Sequence, residues 1–301
     1  MKNARNLNLN FFLSRQNTDL SFSFQVDSGK PGKKIVIVGA THGSEPVGVD
    51  AIMAIIDQIQ SQQLILTSGQ ILFVIGNPIA YLGNTRFVNK NLNREFLDIQ
   101  HPNNYEQHRA KEITDFLRDY DPDFVLDLHS VSVGDEQMEI YDKDSTFPKD
   151  LLDTSVLQII LDQKVMPGGL CQLPFLRAAM AMECGNHDSQ FGLERALAKI
   201  YSVLGFYGII KAIEKQQKAG SKPASKYQFI NVIKPQRGFT FIDPNISSEY
   251  HLKKDQVYCT YLDDADKLIQ VKAPQDCYVL MPTLVPSIDD TDAGFLAIKL
   301  S

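Results

Sequence analysis

The stretch from Lys34 to Gln60 reads KIVIVGATHGSEPVGVDAIMAIIDQIQ and decides the fold class. Its first part, Lys34 to Gly39, is a continuous β-branched run, which is typical of a strand buried on both faces of a parallel sheet. Pro46 suits the first turn of a helix, and apolar residues then recur at helical spacing as far as Ile59. The stretch therefore predicts a strand, a polar turn and a helix in succession.

Three further apolar runs of strand length follow along the chain, at 70–76, 124–129 and 178–184. Amphipathic helical patterns run from about 105 to 120 and from about 191 to 215. Strands that alternate with helices favour a mostly parallel sheet with helices on both faces. We therefore predict an α/β fold.

The polar segment QQKAGSKPASK, residues 216–226, separates this pattern from the rest of the chain. Beyond it the helical period disappears, and short β-like runs alternate with turns, at 228–233, 256–261 and 277–281. The sequence therefore predicts a catalytic domain over 1–216 and a small all-β domain over 217–301.

The composition and charge of the chain argue against nucleic-acid and membrane partners. Of the 301 residues 44% are hydrophobic and 22% charged, and the net charge is −6 with the basic residues scattered, which argues against nucleic-acid binding. The chain has no signal-peptide pattern and no apolar run of about 18 residues, so we expect a cytoplasmic protein without a membrane partner. Its four cysteines form no C-x-x-C pair, which predicts buried free thiols.

Two histidines follow predicted strands and could hold a metal ion. His42 and Glu45 are three residues apart at the start of the first helix, close enough to converge on one ion. His129 ends another strand, and in open α/β sheets ligands gather at the carboxyl ends of the strands. Asp127 lies on the same strand face as His129 and could orient it. The alternative is a pair of core histidines satisfied by neighbouring backbone groups.

Two further features could carry chemistry. Glu183 ends an otherwise apolar strand, where a carboxylate is costly to bury without a partner. It could be a catalytic base beside a metal ion, or one half of a structural salt bridge. In the stretch 84–94, Arg86, Arg94 and Asn93 offer donors suited to a carboxylate or a developing oxyanion, although a solvated loop explains them equally.

The ordered combination of these motifs is more specific than any one of them. G-x-x-H-G-x-E follows a strand, N-P…R-F…N-L-N-R and D-L-H come next, and an apolar strand ends in M-E-C-G. This set resembles the succinylglutamate desuccinylase and aspartoacylase family. The segments YVLMP (278–282) and AGFLAIKLS (293–301) also resemble the C-terminal part of the desuccinylases. The resemblance implies a zinc carboxypeptidase-like fold, with a mixed sheet flanked by helices and a small C-terminal all-β domain.

The resemblance also implies a metal and a mechanism. His42, Glu45 and His129 match the zinc ligands of the family, for one Zn²⁺ per chain, and Glu183 matches its general base. The implied reaction is hydrolysis of the amide bond of a small anionic N-acyl amino acid, by attack of a metal-bound water with the help of Glu183. Alternatives are a carboxypeptidase or peptide amidase on the same scaffold, and a non-catalytic ligand-binding relative.

The arginines complete the implied site. Arg86 matches the residue that polarises the scissile carbonyl, and Asn93 with Arg94 matches the pair that holds the substrate carboxylate. The chain departs from the family at Asn91, where aspartate is usual, and it carries no arginine from 130 to 138. Arg177 is then the remaining candidate for a second carboxylate. The sequence leaves the acyl group and the oligomeric state open, a homodimer among the alternatives.

Overall fold

The computed structural model describes residues 2–97, 99–211, 224–287 and 292–300. Its α-helices are α1 (Lys2–Arg15), α2 (Val47–Gln60), α3 (Pro78–Gly83), α4 (Tyr105–Tyr120) and α5 (Gly192–Phe206). Short 3₁₀ turns span Leu92–Arg94, Lys149–Leu151 and Leu170–Gln172. The strands are β1 (Ser23–Asp27), β2 (Lys34–Gly39), β3 (Gln70–Ile75), β4 (Phe124–Val131), β5 (Gln137–Asp142), β6 (Leu157–Leu161), β7 (Ala179–Asn186), β8 (Lys226–Val232), β9 (Thr240–Phe241), β10 (Tyr250–Leu252), β11 (Val257–Leu262), β12 (Leu268–Lys272), β13 (Cys277–Leu280) and β14 (Phe295–Leu300).

Eleven of these strands form one mixed sheet in the order β1-β3-β2-β4-β7-β5-β6-β8-β14-β13-β10. Its centre, β3-β2-β4-β7, is parallel throughout, so the carboxyl ends of β2, β4 and β7 lie at the same edge. The register pairs His129 of β4 with Glu183 of β7, which places both side chains on one face. The predicted α/β fold is confirmed.

The two faces of the sheet bury separate apolar cores. Ile35 and Ile37 point to the face covered by α2 and α5, where a large cluster of aliphatic side chains is buried. Val36 and Val38 point to the opposite face, where Ile113 and Leu117 of α4 cover them. The β-branched run therefore forms a strand because each of its side chains finds apolar contact.

The C-terminal strands continue the central sheet instead of standing apart from it. β8 pairs in parallel with β6 and antiparallel with β14, while β9, β11 and β12 form a separate small antiparallel sheet. The boundary predicted at 216/217 lies outside the described residues. The division into two domains stays a prediction.

The elements that were not predicted include α1, α3, β1, β5 and β6. The leucines of α1 do not share one face: Leu9 is buried with Phe12, whereas Leu7 and Leu13 are exposed. Arg5 of the same helix donates to the carbonyl oxygens of Gly43 and Tyr81 at 2.6 Å each. The helix predicted over 191–215 ends earlier, at Phe206. Two residues later, Gly208 adopts a φ of 70°. Within the described ranges no helix has both the length and the apolar character needed to cross a membrane.

Candidate metal and active site

The loop after β2 fixes the first two candidate ligands. Gly43 packs directly on the backbone of α3, and a Cβ there would lie 2.1 Å from the carbonyl carbon of Ala80, so only glycine fits. Its N–H donates to the carbonyl oxygen of Arg86 at 3.1 Å. The tight packing of Gly43 holds His42 and Glu45 over the carboxyl edge of the sheet.

His42, Glu45 and His129 converge, and all three are buried. Nδ1 of His42 lies 2.8 Å from Oε1 of Glu45, and Nδ1 of His129 lies 3.0 Å from Oε2. One donor atom from each residue falls within 4.8 Å of the others. The structure thus brings together the three residues that the sequence singled out.

The outer nitrogens of the two imidazoles are held by different partners. Nε2 of His129 lies 2.9 Å from Asp127, whose other oxygen accepts from the Thr41 hydroxyl at 2.7 Å. Nε2 of His42 lies 3.0 Å from the amide oxygen of Asn91. Such bonds set the tautomer and ring orientation of a metal-binding histidine. One ring is therefore oriented by a carboxylate and the other by a neutral amide.

The electrostatics of this cluster are strongly coupled. Burial alone would raise the pKa of Glu45, but the charge of His42 and the hydrogen bonds from both imidazoles lower that pKa well below its usual range. Burial would lower the pKa of His129, yet Asp127 and Glu45 raise it well above the ordinary value. Burial and the charge of Arg86 lower the pKa of His42. Without a metal ion, the cluster therefore favours a proton on His129.

The donor set fits a divalent cation. Two imidazole nitrogens and a carboxylate oxygen are the ligands of many catalytic zinc sites, where three protein ligands leave one coordination position open. Here the three groups are buried and close together, and bonds to Asn91 and Asp127 fix the two rings. A cation would also compensate the buried negative charge of Glu45, as the proton on His129 does in its absence.

Glu183 lies beside this cluster at the end of β7. Its side chain is buried, and among the described residues its Oε2 has no hydrogen-bond partner. Burial raises the pKa of the carboxyl group to about 8. An unpaired, poorly solvated carboxyl with a raised pKa is typical of a group that exchanges protons. Within the described part of the chain, Glu183 does not form the salt bridge that was considered as its structural explanation.

Arg86, Asn93 and Arg94 line one cavity together with the three candidate ligands and Glu183. Arg86 is about one-third exposed and donates to Oε1 of Glu45 at 3.2 Å. Oδ1 of Asn93 accepts from the N–H of Leu170 at 3.0 Å. Arg94 is more deeply buried and donates to Asp292 at 2.7 Å and to the carbonyl oxygen of Asn93 at 2.7 Å.

A buried carboxylate that the sequence analysis missed organises this stretch. Glu106, in the first turn of α4, accepts hydrogen bonds from the backbone N–H groups of Val88, Asn89 and Lys90 at 2.7, 3.0 and 3.2 Å. Asn77 donates to the same carboxylate at 3.0 Å. The signal available in the sequence is a glutamate in a helical first turn, where carboxylates are common for other reasons.

Arg177 does not join the site, and its predicted role as a carboxylate binder is not supported by its position. It precedes β7 and forms ion pairs with Asp121 and, at 3.0 Å, with Asp123. It lies six positions before Glu183 along the chain, a span of about 20 Å at roughly 3.3 Å per residue. A parallel sheet has two edges, and Arg177 lies at the amino edge.

The cavity that contains these groups has a volume of about 190 Å³. His187 and Ser130 also line it, with Nδ1 of His187 lying 2.8 Å from the Ser130 hydroxyl. Met281, Pro282, Thr283 and Asp292 close it from the C-terminal part of the chain. The proximity of His187 to Glu183 in sequence was visible, but Asp292 is nearly 200 residues from Arg94 and could not be paired with it by spacing.

Known proteins resemble this chain in sequence and in fold. Residues 31–152 match the Succinylglutamate desuccinylase/Aspartoacylase catalytic domain. A succinylglutamate desuccinylase of Shewanella frigidimarina is 35% identical over 95 residues, 29% of this chain and 27% of the relative. A probable aspartoacylase of Prochlorococcus marinus is 35% identical over 105 residues, 34% of this chain and 35% of the relative. The matches thus span about a third or less of these curated relatives.

The fold extends the likeness along the chain. The crystal structure of a succinylglutamate desuccinylase from Vibrio parahaemolyticus superposes with a TM-score of 0.69 and 20% identity, covering 93% of this chain and 86% of that one. At this identity the superposition speaks for the fold alone. Residues 31–152, less than half of the chain, thus resemble the succinylglutamate desuccinylase/aspartoacylase catalytic domain, and the chain resembles a succinylglutamate desuccinylase in fold.

Proposed function

We propose that this protein is a zinc-dependent hydrolase that cleaves the amide bond of N-acyl amino acids. The observation that carries the proposal is the convergence of His42, Glu45 and His129 beside Glu183, whose Oε2 lacks a partner within the described structure. The family match over residues 31–152 supports the same conclusion. A bound zinc ion would act as a Lewis acid toward the carbonyl oxygen and would make nearby water more acidic.

Glu183 would act as the general base and then as the general acid. Its carboxylate takes a proton from the attacking water while the new C–O bond forms. When the amide C–N bond breaks, the same carboxyl returns that proton to the departing nitrogen, which leaves as an amine. The products are a carboxylic acid and an amino acid. Because Glu183 is buried, its proton is not lost to bulk water between the two steps.

The arginines would stabilise charge and position the substrate. Arg86 contacts Glu45 through one N–H and is partly exposed to the cavity, so its other N–H groups can donate to the developing oxyanion. One such donor contributes about 3 kcal/mol to transition-state stabilisation. Asn93 and Arg94 would hold the α-carboxylate and so fix the scissile bond relative to Glu183.

The size of the cavity favours a small substrate over a peptide. Its volume is about 190 Å³, and Met281 to Thr283 and Asp292 line it from the C-terminal part of the chain. A carboxypeptidase needs an open groove for the residues that precede the scissile bond. The deacylase is therefore the better supported of the two reactions.

The experiment is an activity panel on the zinc-loaded protein. Release of the free amino acid is followed for N-acyl amino acids of varied acyl group and side chain, and for di- and tripeptides. The proposal predicts hydrolysis of at least one N-acyl amino acid and slower or undetectable cleavage of peptides. Faster release of C-terminal residues from peptides, or no amine release from any N-acyl amino acid, would refute it.

A further inference from the structure

One wall of the cavity is apolar and begins next to Glu183. Ala181 lies two residues before Glu183 on the same strand face, and its register partner on β5 is Ile140. Further along the same wall, the rings of Phe229 and Phe295 stack with centroids 4.3 Å apart. The apolar lining of the cavity includes these four residues with Leu161 and Met166, each at most 8% exposed: Ile140, Leu161, Met166, Ala181, Phe229 and Phe295.

The positive charge of the cavity is already partly neutralised. Among the described residues that line it, the guanidinium groups are those of Arg86 and Arg94. Arg86 contacts Glu45, and Arg94 forms a 2.7 Å ion pair with Asp292. The charges can thus receive one substrate carboxylate more readily than two.

From the wall and the charge balance together, we infer that the substrate carries a single carboxylate and that the group facing Ile140, Leu161 and Phe229 is uncharged and apolar. This inference rests on the proposed function and names its substrate class. A second carboxylate would have to lie against the apolar wall without a partner, which is strongly unfavourable for a buried charge. An aliphatic or aromatic group would gain from the same surface.

The test compares pairs of compounds that differ in one carboxylate but hardly in shape. N-acetyl-leucine is the apolar isostere of N-acetyl-aspartate, and N-(4-methylpentanoyl)glycine is that of N-succinylglycine. Dissociation constants are measured calorimetrically on the zinc-loaded Glu183→Gln protein, and kcat/KM on the wild type. We expect at least about tenfold preference for the apolar member in one pair or both, in line with the selectivity of apolar pockets.

A ratio below tenfold in both pairs, or a preference for the dicarboxylic member in either, overturns the inference. The binding measurement keeps this outcome distinct from failure of the proposed function. If no amide is hydrolysed, the proposed activity is wrong, and the ratio of dissociation constants still decides whether the cavity selects an apolar group.

Two variants test which residues cause the selectivity. Met166→Arg adds a cation to the apolar wall and should move the binding ratio at least about tenfold toward the dicarboxylic compounds, whereas Met166→Leu should leave it unchanged.

Should Met166→Arg fail to fold, Asp292→Asn is the second test, because it frees the charge of Arg94 and should move the ratio in the same direction. Asp144→Asn at an exposed position is its control. Unchanged ratios in folded Met166→Arg and Asp292→Asn would overturn the assignment.

Discussion

The two edges of the central sheet both carry charged residues, but these residues differ in their exposure to solvent and in their pairing. At the amino edge, Arg177 and Asp123 precede β7 and β4 and pair with each other, and the arginine side chain is about half exposed. At the carboxyl edge, His129 and Glu183 end the same two strands and are buried. One edge is a solvated ion-pair cluster, and the other holds unsolvated groups with strongly shifted pKa values.

This difference separates charges that stabilise the surface from charges that do chemistry. An exposed ion pair contributes little because water and salt screen it. A buried, incompletely paired carboxyl such as Glu183 costs stability, and such a cost is retained in proteins mainly at functional sites. The comparison therefore predicts large effects from substitutions at the carboxyl edge and small ones at the amino edge.

The largest effect is expected for Glu183→Gln. The amide keeps the size of the side chain but cannot accept the proton of the attacking water, so kcat should fall at least about 100-fold while bound zinc stays near one equivalent. Turnover of an N-acyl amino acid and zinc content are measured on the same sample. His129→Ala is the control and should lose zinc as well as activity. A Glu183→Gln protein that keeps more than about a tenth of the wild-type rate would remove Glu183 from the role.

Asp127→Asn should weaken zinc binding by about 10- to 100-fold, since it removes the carboxylate that orients His129 and raises its basicity. Competition with a chromogenic chelator gives the dissociation constant. Asp123→Asn, immediately before the same strand at the amino edge, is the matched control and should leave zinc affinity unchanged. Equal zinc affinity of wild type and Asp127→Asn would show that Asp127 does not support the ligand.

Stability of the metal-free protein should depend on pH through Glu183. Burial raises the pKa of this carboxyl from 4.5 to about 8. Between these values the folded state holds a proton that the unfolded chain has released, so stability falls as pH rises, by up to about 1.4 kcal/mol per pH unit. Glu183→Gln should remove that contribution. Urea denaturation of both proteins is measured with chelator from pH 5 to 8. The free energy of unfolding of the variant should rise relative to that of the wild type as pH increases. Parallel pH profiles would contradict the raised pKa of Glu183.

Asn91→Asp tests the weaker of the two orienting contacts. Asn91 faces Nε2 of His42 with a neutral amide oxygen, and a carboxylate there would make the imidazole more basic. Zinc affinity should rise, by at most about tenfold, because His42 is already oriented by the existing contact. Chelator competition measures it, and a weaker affinity in the variant would show that the amide is needed for reasons other than orienting His42.

Arg177→Ala should have the smallest effect. It removes exposed ion pairs with Asp121 and Asp123, so the free energy of unfolding should change by less than about 1 kcal/mol. The kcat/KM for an N-acyl amino acid should stay within about twofold, since surface substitutions remote from a site seldom alter it. A loss of tenfold or more in kcat/KM at unchanged stability would restore Arg177 to the substrate site.

The group of His42, Glu45, His129 and Glu183 could be predicted because the ends of apolar strands can be recognised in the sequence. His129 and Glu183 close apolar runs, and a parallel sheet brings such ends to one edge. Arg177 was proposed for the substrate site on a different ground, because the family resemblance suggested a further arginine and Arg177 was the one available. It precedes the predicted strand 178–184 and lies at the amino edge of the sheet, so its role in substrate binding stays a prediction.

The remainder of the site depends on contacts between distant segments. The ion pair between Arg94 and Asp292 and the stacking of Phe229 on Phe295 arise from the pairing of C-terminal strands with the central sheet. This pairing joins distant segments and cannot be predicted from the pattern of residues within either segment. Helix α1 was missed for a related reason: its apolar residues form no single helical stripe, and Arg5 contacts the distant loop at Gly43.

Zinc-edge X-ray absorption on the purified, zinc-loaded protein would show whether His42, Glu45 and His129 bind one zinc ion. We expect one zinc per chain, with imidazole nitrogens at about 2.0 to 2.1 Å, oxygen in the remaining positions and no sulfur. The imidazole signal should fall in His129→Ala. A spectrum with sulfur scatterers, or zinc well below one equivalent under conditions in which the protein is folded, would contradict the account.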